Sequence, residues 1–170
     1  MEVMDALKGR QSVKNYLSTP VETEKLNRIL EAGRLAPSAY NHQYRRFIVV
    51  TDHALKKEIR EKAGTQPMVE QAPVLIVYCA TEDIDFTMPN GEKTYPIDAG
   101  ICGGYMMLEA YDQGLGACWL GVFDPEAVKE VLNLPEEVKV VTMIPIGYHD
   151  GTQERKPRKP LEETVSYNKY

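Results

Sequence analysis

Four short stretches of this chain carry residue types that chemistry could use. In Arg10-Gln11-Ser12-Val13-Lys14 an extended backbone would put alternate side chains on one face, so Arg10, Ser12 and Lys14 would point the same way. Two cations around a hydroxyl can cradle a phosphate, and a guanidinium can grip it with two hydrogen bonds. A solvated charged strand has the same spacing. In Ala36-Pro37-Ser38-Ala39-Tyr40-Asn41-His42-Gln43 small residues admit a flat ring system, while Asn41 and Gln43 bring amide donors and acceptors. A turn that ends a helix with local Ser and Asn bonds reads alike. In Gly116-Ala117-Cys118-Trp119-Leu120-Gly121 a glycine after a strand lets a backbone N–H face a ligand, and Trp119, the single tryptophan, serves equally well as core. Lys156-Pro157-Arg158 sets two cations on one side of an extended chain, a pattern that is usually solvated surface.

Composition narrows the field. The 170 residues are 43% hydrophobic and 26% charged, an ordinary globular balance in one domain, 1–170. A net charge of -5 argues against a nucleic-acid partner. Positive charge nevertheless gathers at Arg10 and Lys14 and at Arg155, Lys156, Arg158 and Lys159, which invites an anionic small ligand. Apolar runs such as residues 74–79 are too short to cross a bilayer, and the start of the chain has no signal-like apolar stretch, so the expectation is a cytoplasmic protein without a membrane partner. Cys79, Cys102 and Cys118 lie far apart with no metal or redox spacing and read as apolar packing residues; no metal site is expected.

The elements that must position these stretches follow from periodicity. Residues 2–8 suit a short helix stopped by Gly9, and 10–16 read as extended. Leu26, Ile29, Leu30 and Gly33 share one face of a helix over 22–35, which Pro37 closes, leaving 38–43 as a polar loop. Strands are expected at 47–50, 74–79, 117–122 and 138–146, and helices at 54–63, 97–113 and 125–132, with a loop over 81–96. In the helix over 97–113, Gly100, Gly103 and Gly104 each cost about 1 kcal/mol of propensity against alanine, so something must approach its backbone closely. Interleaved strands and helices mean α/β or α+β. The tail beyond Tyr148 holds little apolar matter besides Leu161, Val165, Tyr167 and Tyr170, which suits a segment laid across a partner subunit as well as a frayed end.

Taken in order, the Arg-Gln-Ser-Val-Lys start, the Ala-Pro-Ser-Ala-x-Asn-x-Gln loop, Trp-Leu-Gly, Pro145-Ile146-Gly147-Tyr148 and the Lys-Pro-Arg-Lys-Pro-Leu tail resemble the FMN-dependent nitroreductase family across nearly the whole chain. The resemblance implies an α+β fold, a central mixed β-sheet flanked by helices, assembled as an intertwined homodimer with the C-terminal tail exchanged. It implies FMN at the dimer interface, with Arg10 and Ser12 of the 10–14 segment, Gln11 beside them, and Lys156 and Arg158 around the phosphate. Lys14 would lie near the pyrimidine edge of the flavin. Pro37, Ser38, Ala39 and Asn41, with Gln43, would line the ring from the other subunit. Trp119, Leu120 and Gly121 correspond to the stretch whose backbone approaches flavin N5, and the glycine-bearing helix becomes the central dimer helix.

The activity so implied is NAD(P)H-dependent reduction of small acceptors, nitroaromatics or quinones, by hydride transfer in two steps, with NADH or NADPH as the transient donor and no side chain singled out as general acid. A flavin-binding or storage protein without turnover, and a non-enzymatic partner-binding homodimer, are the rival readings. The chain departs from the family where Asn-x-Gln often continues with Pro-Trp: here Tyr44-Arg45-Arg46 follows. With the short 81–96 segment, that departure points to a more open, more basic pocket.

Overall fold

The computed structural model describes residues 2–82, 86–151 and 156–170. Its order is α1 (Val3–Gly9), α2 (Thr23–Leu35), a single 3₁₀ turn (Ala39–Asn41), β1 (Arg45–Val50), α3 (His53–Lys62), α4 (Met68–Gln71), β2 (Val74–Ala80), α5 (Tyr95–Asp112), β3 (Gly116–Ala117), α6 (Pro125–Val131), β4 (Lys139–Gly147) and a second 3₁₀ turn (Leu161–Glu163). Local chemistry sets several of the boundaries. The Asp52 carboxylate accepts the Leu55 N–H at 2.8 Å to start α3, and Asp124 accepts the N–H groups of Glu126 and Ala127 to start α6 behind Pro125.

The four strands form one sheet in the order β1-β2-β4-β3, antiparallel at every named pair. The parallel element of the expected mixed sheet is an isolated bridge, Ser12 beside Ala117. All seven residues of β2 are buried because helices cover both faces of the sheet. Its alternation sorts the core. Leu75, Val77 and Cys79 face Ile59 of α3 and Val128 of α6. Val74, Ile76 and Tyr78 face Ile29 of α2 and Ala99, Cys102 and Met106 of α5. Helices α2 and α5 meet closely at Gly33, where an added Cβ would come within 3.1 Å of both Met106 Cγ and Phe47 Cζ.

Two expectations are corrected, and one element is new. The 117–122 strand is only two residues long, after which the chain touches β4 again through the Leu120–Met143 bridge. α5 begins at Tyr95, two residues earlier than expected, with Pro96 in its first turn, where a missing N–H costs nothing. α4 escapes the periodicity because four residues give barely one turn; it is held by burial of Met68 and Val69.

Candidate functional site

Residues 12–14 alternate as expected, with Val13 buried at 1% exposure while Ser12 and Lys14 face solvent; Arg10 and Gln11 are both half-buried. The Val13 N–H donates to the Ala117 carbonyl at 3.0 Å. The Tyr16 hydroxyl is shared between the carbonyls of Val13 at 2.9 Å and Pro145 at 3.0 Å, and the Leu17 N–H reaches the Tyr148 carbonyl at 2.8 Å. Burial in that position drives the Tyr16 phenol far above its ordinary pKa, so it remains a neutral donor.

Ser12 and the two cations beside it in sequence all act on the Cys118 thiol. Burial raises the Cys118 thiol, while a hydrogen bond from Ser12 and the charges of Lys14 and Arg10 pull the other way. Neither cation has an acidic partner among the described residues. A hydroxyl between two unneutralised cations, on backbone pinned to the sheet, is a donor set that fits a phosphate. Next to it Trp119, 40% exposed, lies in a slot made by two glycines. An added Cβ on Gly103 would be 2.9 Å from Trp119 Cδ1, and one on Gly121 would run into the far side of the same ring. Leu120 beneath is 5% exposed. The first and third stretches are therefore one contiguous surface.

Residues 37–43 lie elsewhere. Ser12 stands one strand outside Ala117, which pairs with Ile146, which pairs with Val74. Arg45 pairs with Ala80 at the opposite end of β2 and on the opposite edge of the sheet. Four strand spacings across and six residues along put Ser12 and Arg45, the strand residue just after the loop, roughly 28 Å apart. The loop is fixed locally: the Ala39 N–H donates to Asp98 Oδ1 at 3.1 Å, and the Gln43 N–H to Ser38 Oγ at 3.1 Å. Gln43 Nε2 donates to the Asn41 carbonyl at 3.1 Å. Tyr40, Asn41 and Gln43 have φ of 48°, 58° and 58°. Such left-handed backbone costs a non-glycine residue roughly 1–3 kcal/mol and collects where ligands bind. Pro37, Ser38 and Ala39 line a cleft of about 250 Å³ with Met88, Asp98 and Ile101. Ala39 and Met88 also border a second cleft, of about 500 Å³, walled by Tyr40, Phe86 and Pro89. The rings of Tyr40, His42 and Tyr44 stack in succession, with Phe86 edge-on to Tyr40 at 5.6 Å.

The tail is exposed throughout residues 156–170, and none of the hydrogen bonds or ion pairs of the described residues joins Lys156 or Arg158 to the 10–14 segment. Arg155, the other cation of that cluster, lies outside the described residues. The expectation of a more basic pocket is corrected in part: Arg45 turns inward to the carbonyls of Arg34 and Ala36, and only Arg46 is exposed. Sequence reasoning missed Asp98, Arg45 and the Tyr40–Phe86 contact. The acidic residue in the first turn of α5 was the one signal available for Asp98.

Helix α5 shows two faces. Ala99, Cys102, Met106 and Ala110 are fully buried, whereas Ile97, Ile101 and Tyr105 are 46%, 37% and 44% exposed, with Gly100 and Gly104 between them. Among the described residues no helix is long and apolar enough to cross a membrane.

Comparison with known proteins is consistent along the chain. The sequence model of the Nitroreductase family matches residues 7–65 and 56–148. An FMN reductase [NAD(P)H] of Bacillus subtilis is 36% identical, over 95% of this chain and 71% of its own. An NADH dehydrogenase of Thermus thermophilus is 33% identical, over 97% and 95% of the two chains. The crystal structure of a nitroreductase family protein from Clostridium difficile superposes with a TM-score of 0.87 at 31% identity, covering both chains completely.

Proposed function

This chain belongs to the nitroreductase family and is an FMN-dependent NAD(P)H oxidoreductase, and from that premise we propose that residues 1–170 act as one domain within a homodimer whose two flavin sites are each built from both copies. The observation that carries the reading is the separation of the two half-sites. An FMN whose phosphate sits at Ser12 would not extend the roughly 28 Å to Arg45 at the end of the loop on the same sheet, since the phosphate and the ring are joined only by a ribityl chain. A second copy packed on the exposed, glycine-bearing face of α5 brings its own residues 37–43 toward the first copy's 10–14 segment.

In this arrangement Arg10 and Ser12, flanked by Gln11, hold the phosphate, and Lys156 and Arg158 reach it from the tail. Lys14 sets a positive charge beside the pyrimidine edge, where it favours an anionic reduced ring. Pro37, Ser38, Ala39, Asn41 and Gln43 of the other copy wall the ring, while Trp119, Leu120 and Gly121 bring backbone close to its N5 edge. FMN, when bound, would supply two-electron hydride chemistry between NADH or NADPH and a small acceptor such as a nitroaromatic or a quinone. The cleft of Tyr40, Phe86 and Met88 adjoins the ring-binding cleft and is the place for a flat acceptor to stack. The protein's own contribution is to orient donor and acceptor in turn on one face and to exclude water from it.

The test is an absorbance spectrum of the purified protein, followed by anaerobic addition of NADH and of NADPH. Flavin bands that bleach with either donor, and return when a quinone is added, are the expected result. A colourless protein that takes up no added FMN overturns the site assignment, and bound flavin that neither donor bleaches overturns the reaction. A molecular mass in solution of one chain overturns the shared site.

A further inference from the structure

The 37–43 loop holds a shape that its own residues do not favour. Tyr40, Asn41 and Gln43 are all left-handed, and none is glycine. Hydrogen bonds within the loop hold part of it, and two charged side chains from outside add to them, one at Ala39 and one where the loop leaves α2. Asp98 receives the Ala39 N–H on both carboxylate oxygens, at 3.1 and 3.4 Å. Arg45 donates through Nη2 to the carbonyls of Arg34 at 2.9 Å and Ala36 at 2.6 Å, the last turn of α2 and its cap.

Arg45 suits this task because its backbone is fixed at the first position of β1, paired with Ala80. Its side chain reaches back nine residues and bridges the exit of α2 to the sheet, with the loop spanning the gap between them. A helix leaves its final carbonyls without intrahelical partners, and a charged donor is the strongest available cap for them. The other arm, Nη1, is buried and makes no hydrogen bond. A guanidinium that gives up solvent at one nitrogen to reach two carbonyls with another is not behaving as a solubilising surface charge. Arg45 also occupies the position where the family resemblance leads one to expect an aromatic residue after proline, so the polar tie belongs to this chain.

We propose that Arg45 is a positioning residue for FMN: it ties the 37–43 loop to the end of α2 and so keeps Tyr40, Asn41 and Gln43 in the left-handed shape that presents Pro37, Ser38, Ala39 and Asn41 to the flavin ring. The proposal rests on the site assignment above. It differs from a purely stabilising role in one respect: its effect on FMN affinity passes through the backbone strain at Tyr40, so relieving that strain should make the tie dispensable.

The experiment measures FMN affinity by flavin fluorescence quenching, together with apoprotein melting temperature, for wild type, Arg45→Met, Tyr40→Gly and the double variant. Arg46→Met, at the exposed neighbour, is the control for lost charge. Arg45→Met should bind FMN about tenfold more weakly, the scale of one lost charge-assisted hydrogen bond. Glycine at position 40 adopts the left-handed conformation freely, so the double variant should recover most of that loss although its melting temperature does not. If Arg45→Met fails to fold, Arg45→Lys, which keeps one donor, should show a smaller loss that Tyr40→Gly again removes. Unchanged affinity in Arg45→Met, an equal loss in Arg46→Met, or a loss that persists in the double variant overturns the proposal. A wild-type protein that binds no FMN overturns the site assignment and this inference together.

Discussion

The glycines of α5 offer a measurement whose sign alone is informative. Around Gly100 and Gly104 nothing beyond the neighbouring residues and the helix's own backbone lies within 4 Å of an added Cβ. In an isolated chain the double substitution Gly100→Ala/Gly104→Ala is therefore pure gain. Each alanine is worth about 1 kcal/mol of helix propensity, or about 2 kcal/mol for the pair. In a protein of this size, that raises the melting temperature by about 4–8 °C. If a second copy's helix packs on the same face, each methyl is instead forced into a filled space, costing about 1–3 kcal/mol, and two-fold symmetry doubles the number of methyls at the interface. The shared site predicts the second outcome: a dimer dissociation constant at least about tenfold weaker, and a melting temperature that falls and becomes dependent on protein concentration. Sedimentation across a hundredfold range of concentration, with thermal melts at both ends, reads both quantities. A variant that stays dimeric and melts several degrees higher would refute packing through this face.

Other expectations concern the cofactor cradle and the core. Arg10→Ala removes one charge-assisted phosphate contact and should weaken FMN binding by about 1.5–3 kcal/mol, measured by titration; an unchanged affinity removes Arg10 from the cradle. Trp119, the single tryptophan and 40% exposed beside that cradle, should lose most of its fluorescence when FMN is added to apoprotein, whereas emission that does not change places the flavin elsewhere. A chain ending at Asp150 keeps the Tyr148 hydrogen bonds to Glu22 yet loses Lys156 and Arg158, so it should release FMN and dissociate more readily; a yellow, stable dimer would make the tail an appendage. Burial pushes the thiols of Cys79 and Cys102 up to about 11 from 9.0. Between those values an unfolded thiol sheds a proton that the folded one keeps, so stability should be level below about pH 9 and fall towards 11, as chemical denaturation at each pH would report. Both thiols should resist alkylation at pH 8 until the chain unfolds; rapid labelling of the native protein would contradict their burial.

How much of this was legible in the sequence depended on range. The alternation of Ser12 and Lys14 around a buried Val13 is a local property, and the structure keeps it. So is the helical face of Leu26, Ile29, Leu30 and Gly33, whose last member turned out to pack directly against Met106 of α5. The two-sided burial of β2 was visible as an unbroken apolar run. What could not be read were relations between distant residues. The grip of Asp98 on Ala39 spans 59 positions, and nothing in either residue's neighbours announces it. The inward turn of Arg45 was equally hidden, because a charged residue at the start of a strand ordinarily faces water. The two-residue length of β3 reflects a broken ladder: the Cys118 N–H still reaches the Pro145 carbonyl at 3.3 Å and Leu120 bridges Met143, while Trp119 between them fills its slot against α5.

The anchoring of the first seventeen residues also bears on when the site can come into being. Val13 is held by Ala117, Tyr16 by Pro145 and Leu17 by Tyr148. A chain emerging from the ribosome thus makes the segment proposed to hold the phosphate almost at once, yet has nothing to fasten it to until the last strand has been synthesised. At about 5–20 residues per second the interval is on the order of ten seconds. Throughout it Arg10, Ser12 and Lys14 wait on unstructured chain, and helices α2, α3 and α5 can form ahead of them. Closure of such long-range contacts is the slow part of folding, so on the proposed site competence to capture FMN would arrive only at the end of biosynthesis, and a nascent chain would have no cradle with which to sequester the cofactor.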